Sequence, residues 1–224
     1  RPFLVLLRFL LYVNTDAERR TMRPGDNYYT AARDYPATGA WNPTQHPGHR
    51  KFFTLPADRK VQLDVGATLS EVTIAYETWG TLNSDASNAV LLCHAWTGDS
   101  HAAGRAEDGH VGPGWWESAV GPGRAIDTNQ WFVVCANVLG GCQGSTGPAS
   151  LHPEDGKPYG SRFPVITIRD MVRVQARLAD HLGVAVWHSV IGGSMGGMQV
   201  LEWAVTFPAR VRSLIPIATC AQAS

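Results

Sequence analysis

The sequence predicts an α/β fold in which a mostly parallel sheet carries helices on both faces. Apolar runs of strand length alternate with helix-like segments after Ala89, which is the pattern of such a sheet. A long connection rich in glycine and proline, 97–129, follows the first buried run. A serine flanked by glycines, Ser194, stands where an apolar run meets a helix-like segment. Ligands bind beyond the carboxyl ends of the strands in these sheets, so we expect the connection to border the site.

The spacing of apolar residues gives the individual elements. We expect an antiparallel pair of strands at the sheet edge, two buried strands, a helix, the strand before Ser194, a second helix and a last strand. In chain order these elements span 60–65 with 71–78, 89–94, 131–136, 168–182, 185–191, 195–207 and 211–218. Pro208 marks the end of the second helix, because proline cannot continue a helix.

The composition is typical of a single enzyme domain. A chain of 224 residues with 44% hydrophobic content can bury one substantial core. The 19 basic residues balance the 19 acidic ones, and neither kind forms a long run. This balance argues against a nucleic-acid or membrane-surface partner and favours small-molecule substrates.

The cysteines indicate a reducing compartment. Cys93, Cys135, Cys142 and Cys220 are widely spaced, and the sequence has no C-x-x-C pair. Most of them lie in or beside apolar runs, as buried free thiols do. We therefore expect reduced cysteines and a cytoplasmic location.

The first 50 residues are predicted to form a poorly ordered extension, and residues 51–224 to belong to the catalytic domain. The apolar stretch 3–13 is too short to span a bilayer and is interrupted by Arg8. Proline, glycine and asparagine without periodicity follow it. Met22 is a candidate for the natural start of the protein.

The sequence around Ser194 is Gly-Gly-Ser-Met-Gly-Gly, a G-x-S-x-G pattern between a strand and a helix. A sharp turn from strand to helix strains the serine backbone, so its neighbours Gly192 and Gly196 have to be glycine. The turn lifts the Ser194 hydroxyl clear of the sheet. It also puts the amide of Met195 at a helix N-terminus, where it can stabilise an oxyanion. The predicted chemistry is acyl transfer, and the alternative is a turn that holds an inert serine or a phosphate group.

Long, ordered stretches of the chain resemble the homoserine O-acetyltransferase family. The stretches are 88–101, 114–116, 121–128, 137–148 and 162–170, together with the Ser194 segment. The resemblance extends over about residues 52–221. It implies an α/β-hydrolase fold, an acetyl-CoA or succinyl-CoA donor, an amino-acid hydroxyl as acceptor in methionine or cysteine synthesis, and a homodimer.

The resemblance also assigns roles in the loop after the first buried strand. The backbone amide of Trp96 matches the second oxyanion donor, beside that of Met195. Trp96 departs from the leucine usual in the family, and its bulkier indole is expected to narrow the acyl pocket. Thr97 matches a contact with the acceptor amino acid, and its alternative is a local Thr-Gly turn. His94 is either a structural residue of this loop or an unusual catalytic base.

The partners of Ser194 are expected outside this chain. The triad order in this fold is serine, then aspartate or glutamate, then histidine. All eight histidines precede Ser194, and Glu202 is the one acid that follows it. We therefore expect the N-terminal part of a longer enzyme, lacking the triad Asp and His, the lid and the last strands, and inactive alone.

The function predicted for the complete enzyme is transfer of an acetyl group from acetyl-CoA to the hydroxyl of L-homoserine through an acyl-Ser194 intermediate. No metal is expected, because His46 with His49 and His94 with His101 stand apart from other ligand types. No cofactor beyond the co-substrate acetyl-CoA is expected. Three alternatives stay open: a succinyl donor or serine acceptor in the same family, an esterase that uses water, and an inactive fragment.

Overall fold

The computed structural model describes residues 40–56, 58–106, 109–110 and 112–221. The strands in this part of the chain are β1 (Lys51–Thr54), β2 (Val61–Gln62), β3 (Thr68–Leu69), β4 (Thr73–Trp79), β5 (Ala89–Cys93), β6 (Val120–Gly121), β7 (Ile126–Asp127), β8 (Phe132–Ala136), β9 (Ser189–Gly193) and β10 (Leu214–Ile217). The α-helices are α1 (Ile168–His181) and α2 (Met195–Thr206). Short 3-10 turns span Gly160–Arg162 and Pro208–Arg210.

The central sheet has six strands in the order β1-β4-β8-β5-β9-β10. The four strands β8, β5, β9 and β10 are parallel, whereas β4 is antiparallel to both of its neighbours. The register places Leu92 of β5 between Cys135 of β8 and Ile191 of β9. The mostly parallel sheet predicted from the alternation of elements is therefore confirmed.

The two faces of this sheet are covered differently. Side chains alternate across a strand, so Leu91 and Val190 point to one face and pack with both α-helices. Leu92 and Ile191 point to the opposite face, which the 97–129 connection covers. Helices were expected on both faces, but within the described residues α1 and α2 lie on the same side. The connection contains enough apolar residues to bury the other face without a helix.

The predicted edge pair has a different partner in the structure. The edge strand beside β4 is β1, with Thr54 opposite Thr73, and not the segment 60–65. That segment holds β2, which pairs with β3 in a separate small hairpin. Gly66, at φ 85°, reverses the chain between them, and its amide donates to the carbonyl of Leu63. A glycine with positive φ closes this hairpin locally, which takes the segment away from β4.

The α-helices lie where the apolar periodicity predicts them. Thr167 and Asp170 form a reciprocal capping box at the start of α1, which satisfies backbone donors that the helix cannot satisfy itself. Helix α2 ends at Thr206, and Pro208 follows one residue later, after the C-cap Phe207. None of the helices in the described residues combines the length and the apolar character needed to cross a bilayer.

The described unit begins before the predicted boundary at residue 50. Residues 40–221 belong to one compact unit, in which the amide of Trp41 donates to the carbonyl of Cys142 at 2.9 Å. Arg50 is buried, and its guanidinium donates to the carbonyl of Gly109 at 2.6 Å. The boundary therefore falls inside the packed unit, and the expectations for residues 1–39 lie outside the described residues.

Candidate active site

Ser194 makes the turn between β9 and α2 by itself. Strand β9 ends at Gly193 and helix α2 begins at Met195, and between them Ser194 has φ 54° and ψ −121°. A positive φ is strained for a residue with a Cβ, and such strain concentrates at functional sites. Ser194 is exposed, so the turn presents its hydroxyl to solvent.

Two glycines permit this turn. A Cβ on Gly192 would lie 2.5 Å from the carbonyl carbon and oxygen of Gly196. A Cβ on Gly196 would overlap the carbonyl oxygen of Cys93, at the end of β5. The sequence requires glycine at both positions for this reason, and the result is direct backbone contact between the Ser194 turn and the loop after β5.

The backbone of Ser194 is held on both sides. Its amide donates to the carbonyl of Ile217 in β10 at 3.0 Å. Its carbonyl accepts from the hydroxyl of Thr219 at 2.8 Å and from the amide of Met198 at 3.1 Å. Among the described residues, no side chain hydrogen-bonds to the Ser194 hydroxyl, so its base and orienting acid are not found in this part of the structure.

The amides of Trp96 and Met195 are free to act as oxyanion donors. Neither has a hydrogen-bond acceptor among the described residues. Met195 is the first residue of α2, so its amide points out of the helix N-terminus. Trp96 lies in the loop directly after β5, which the contact between Gly196 and Cys93 holds against the Ser194 turn. Their catalytic roles stay predictions.

The loop after β5 turns at 95–98. The amide of Gly98 donates to the carbonyl of Ala95 at 2.9 Å. This turn exposes the side chains of Trp96 and Thr97, with 81% of Trp96 accessible. The Thr97 hydroxyl forms no hydrogen bond within the described residues, so the turn is made by backbone alone and leaves this hydroxyl available to a substrate.

His94 is buried beneath this loop. Its Nδ1 lies 2.7 Å from the carbonyl oxygen of Ala95, and its Nε2 lies 3.1 Å from the amide nitrogen of Val138. Burial lowers the pKa of His94 below its ordinary value. Both ring nitrogens are occupied by backbone groups, so the geometry favours the role in the loop over the role of base for Ser194.

A buried amide network joins α1, α2 and the loop after β5. The side chain of Gln199 donates to the carbonyls of His94 and Met195, each at 3.4 Å. Gln199 accepts from Gln175 at 2.6 Å, and Gln175 accepts from the indole of Trp203 at 2.9 Å. This network links the nucleophile helix to the residue that precedes the predicted oxyanion loop.

A cluster that the sequence does not predict, formed by Glu77, His101 and His110, is buried under the connection. Glu77 on β4 accepts from the Ser100 hydroxyl at 2.8 Å and bonds His101 Nδ1 at 2.9 Å. His110 Nε2 lies 3.6 Å from the same carboxylate. Because these residues are far apart in the chain, no spacing pattern points to them. Their contacts fasten the connection to the sheet directly after the loop that carries Trp96.

The charges in this cluster follow from its contacts. Burial opposes a charge on His101, but the hydrogen bond and charge of Glu77 outweigh it and raise the pKa of His101. Burial lowers the pKa of His110 to about 4, and the charges of His101 and Arg50 also lower it, although Glu77 opposes them. Arg50 in turn lies 3.6 Å from Asp99. The cluster therefore holds a Glu77–His101 ion pair beside a neutral His110.

Within the described residues, this cluster is the one group of three possible metal ligands whose ligand atoms lie close together, within 4.8 Å of one another. The rings of His101 and His110 stack at 3.7 Å with planes 11° apart. A metal binds an imidazole nitrogen in the plane of the ring, and two parallel stacked rings cannot both point their lone pairs at one ion. This geometry fits a hydrogen-bonded ion pair better than a metal centre.

The glycine-rich stretch 140–148 extends the edge of β4. The Ser145 hydroxyl accepts from the amide of Ala75 at 3.0 Å and donates to the carbonyl of Asn137 at 2.6 Å. The Thr146 hydroxyl accepts from the amide of Thr73 at 2.9 Å. These contacts satisfy the part of β4 that has no partner in β8.

A strained serine between a parallel strand and a helix, faced by a loop with a free amide, defines the site of an α/β hydrolase. The alpha/beta hydrolase fold family matches residues 88–224, which is more than half of the chain. The chain belongs to this family.

The curated relatives are homoserine O-acetyltransferases. The chain is 56% identical over 189 residues to the enzyme of Thermobifida fusca, which covers 84% of this chain and 49% of the relative. It is 62% identical over 156 residues to the enzyme of Methanosphaerula palustris, covering 70% of this chain and 32% of the relative. The family resemblance in the sequence is therefore confirmed. The chain spans about half the length, or less, of the curated relatives it matches.

Solved structures with the same fold include an acetyltransferase and a hydrolase. The homoserine O-acetyltransferase from Bacillus anthracis has a TM-score of 0.72 and 39% identity, covering 78% of this chain and 48% of that one. The acetylester hydrolase from Corynebacterium glutamicum has a TM-score of 0.63 and 30% identity, covering 80% of this chain and 46% of that one.

Proposed function

We propose that the whole protein is a homoserine O-acetyltransferase, which transfers the acetyl group of acetyl-CoA to the hydroxyl of L-homoserine. The observation that carries the chemistry is the strained turn at the exposed Ser194, followed by the unbonded amide of Met195 and packed against the loop that holds the unbonded amide of Trp96. The choice of substrates rests on the names of the curated relatives.

The reaction has two halves. In the first, Ser194 Oγ attacks the thioester carbonyl, the carbon–sulfur bond breaks, and CoA leaves as a thiol with the serine proton. In the second, the homoserine hydroxyl attacks the acyl-serine carbonyl, the ester bond to Ser194 Oγ breaks, and the proton of the homoserine hydroxyl passes through the base to Ser194 Oγ. The amides of Trp96 and Met195 hold the negative oxygen in each half. Loss of one such donor typically costs about 100-fold to 1,000-fold in rate.

The loop after β5 also supplies specificity. The exposed Thr97 hydroxyl has no partner among the described residues and is placed to contact the acceptor amino acid. The exposed Trp96 indole stands beside its own amide, where it limits the length of the acyl group. Acetyl-CoA is accordingly the proposed donor, with succinyl-CoA the alternative donor and serine the alternative acceptor.

Hydrolysis of acetyl esters is the second candidate function. The likeness to the acetylester hydrolase structure favours it, because the same nucleophile and oxyanion donors serve both reactions. The two differ in whether homoserine or water takes the acyl group from Ser194.

The remaining parts of the proposal concern the setting of the enzyme. We propose a cytoplasmic homodimer that needs no metal and no cofactor beyond acetyl-CoA, and that binds neither nucleic acid nor membrane. The balance of 19 basic and 19 acidic residues supports the lack of a nucleic-acid or membrane partner, and the widely spaced cysteines support the cytoplasmic location. The homodimer rests on the family resemblance alone.

The test is a thiol-release assay on the whole protein with acetyl-CoA, with and without L-homoserine. The proposal expects a stoichiometric burst of CoA, acetyl on Ser194 by mass spectrometry, and steady CoA release only when homoserine is present. Ser194→Ala should abolish the burst, and the exposed Ser84→Ala is the matched control. Steady release of acetate without homoserine would support the esterase instead, and acetyl on another residue would remove Ser194 as nucleophile.

A further inference from the structure

The peptide group between Ala95 and Trp96 is held by its carbonyl end. The Ala95 carbonyl and the Trp96 amide belong to one planar trans peptide, so they point in opposite directions. His94 Nδ1 lies 2.7 Å from that carbonyl oxygen, and the amide of Gly98 donates to it at 2.9 Å. Two donors on the carbonyl therefore fix the direction in which the Trp96 N–H points.

The backbone amide of Val138 determines which ring nitrogen of His94 carries the hydrogen. The amide of Val138, which follows β8, can only donate, and it lies 3.1 Å from Nε2. Nε2 must accordingly keep its lone pair, and the ring hydrogen lies on Nδ1, facing the Ala95 carbonyl. His94 is 2% exposed, and burial lowers its pKa, so the neutral ring persists.

We propose that His94 is the positioning residue of the oxyanion hole, which acts by holding and polarising the Ala95–Trp96 peptide through Nδ1–H. A hydrogen bond to a carbonyl makes the N–H of the same peptide a stronger donor. This step rests on the proposed function, because it requires the Trp96 amide to contact the oxyanion. Gln199 holds the carbonyl of His94 itself from α2, which ties the positioning residue to the Ser194 side of the site.

The competing view is that His94 merely fills the core. The variants His94→Asn and His94→Gln separate the two views. Asparagine places an amide near the position of Nδ1 and can still donate to the Ala95 carbonyl. Glutamine places its amide group near the position of Nε2. Its side-chain oxygen can accept from the Val138 amide, but the Ala95 carbonyl is left without the donor that Nδ1 supplies. A purely structural role predicts that activity follows the stability of each variant.

The measurement is the rate of Ser194 acylation in the whole protein, by acetyl-CoA and separately by p-nitrophenyl acetate. Positioning predicts a loss of about 100-fold for His94→Gln, the size expected for an oxyanion donor, and a smaller loss of about tenfold for His94→Asn. The KM for acetyl-CoA should hardly change. Affinity for a boronic acid that mimics the tetrahedral intermediate should fall in parallel with the rate, whereas affinity for CoA should not.

Each outcome decides the proposal. Equal rates for the two variants, or a faster His94→Gln, would overturn it. If neither variant folds, the ring nitrogens of His94 in the wild-type protein still test it by nitrogen NMR, and a hydrogen on Nε2 at neutral pH would overturn it. If the wild type acylates from p-nitrophenyl acetate but never transfers to homoserine, the proposed function fails while the comparison of variants still tests His94.

Discussion

Gly196 packs so closely on the carbonyl oxygen of Cys93 that a Cβ at position 196 would overlap that oxygen, so the nucleophile turn and the loop after β5 touch through their backbones. No side chain intervenes at this point. The distance between the Ser194 turn and the loop that carries Trp96 is therefore set by main-chain contact, which is stiffer than contact through side chains. A change at Gly196 should move both oxyanion donors relative to Ser194.

Gly196→Ala should impair both folding and catalysis. The new methyl group would overlap the Cys93 carbonyl, and forcing such groups apart typically costs about 1–3 kcal/mol. Acylation of Ser194 should fall by at least about tenfold, because the loop must shift. Gly193→Ala is the matched control, since its Cβ would meet Ile217 at an ordinary 3.8 Å. Urea unfolding and acylation rates measure both effects, and equal behaviour of the two variants would contradict the argument.

The sequence predicts the nucleophile turn because its requirements are local. Gly192, Ser194 and Gly196 act within five residues, and the helix that follows is a largely apolar stretch that ends before Pro208. The sequence also predicts the central strands, because each is a short apolar run buried on both faces of the sheet. The signal and the structure lie in the same stretch of chain in all these cases.

The parts that the sequence did not predict depend on distant contacts. Strand β1 is four residues long, and its place at the edge is decided by β4 rather than by its own pattern. The ion pair between Glu77 and His101 joins residues 24 positions apart, and His110 completes it from further along the connection. Only the folded chain brings such groups together.

Ser194→Gly should be more stable than Ser194→Ala by about 1 kcal/mol. Glycine tolerates φ 54° and ψ −121°, so it releases backbone strain worth about 1–3 kcal/mol. The greater conformational freedom of glycine in the unfolded chain offsets about 0.5–1 kcal/mol of this stabilisation. Both variants lose the nucleophile and should be inactive. Urea unfolding of the two variants measures the difference, and a less stable glycine variant would mean that the turn is not strained.

The stability of the protein should fall as pH decreases from about 6.5 to about 4 because of His110. Burial lowers the pKa of folded His110 to about 4, while the unfolded residue keeps its ordinary value of 6.5. Between these values the unfolded state binds more protons, so acid favours unfolding. His110→Gln should flatten this part of the profile. The exposed His46→Gln is the control, and unfolding free energies across the range provide the measurement.

Two other buried histidines, His101 and His94, also contribute to the dependence of stability on pH. The pKa of folded His101 is raised, so its contribution is complete below 6.5 and is lost as pH rises through the raised value. The pKa of His94 is lowered, so it acts in the same direction as His110. The difference between wild type and His110→Gln isolates one ring. An unchanged acid slope in that variant would show that His110 titrates normally.

Trp96→Leu should shift the choice of acyl donor. The indole is 81% exposed in the loop that supplies the oxyanion amide, and a smaller side chain leaves that amide in place. The ratio of kcat/KM for succinyl-CoA to that for acetyl-CoA should rise by about tenfold, the scale of discrimination that a pocket wall provides. Trp96→Phe should fall between the two. A ratio that does not change in either variant would place the indole outside the acyl pocket.

Gln199→Met should destabilise the protein by about 1–3 kcal/mol, because it leaves buried polar groups without partners at similar side-chain volume. Gln199 is fully buried and joins the side chain of Gln175 to the carbonyl of His94. Methionine can serve neither group. The exposed Gln130→Met is the control and should change the unfolding free energy by less than about 0.5 kcal/mol. If Gln199 also holds the loop through the carbonyl of His94, acylation of Ser194 should be slower in the folded variant. A normal acylation rate would show that Gln199 contributes to stability alone.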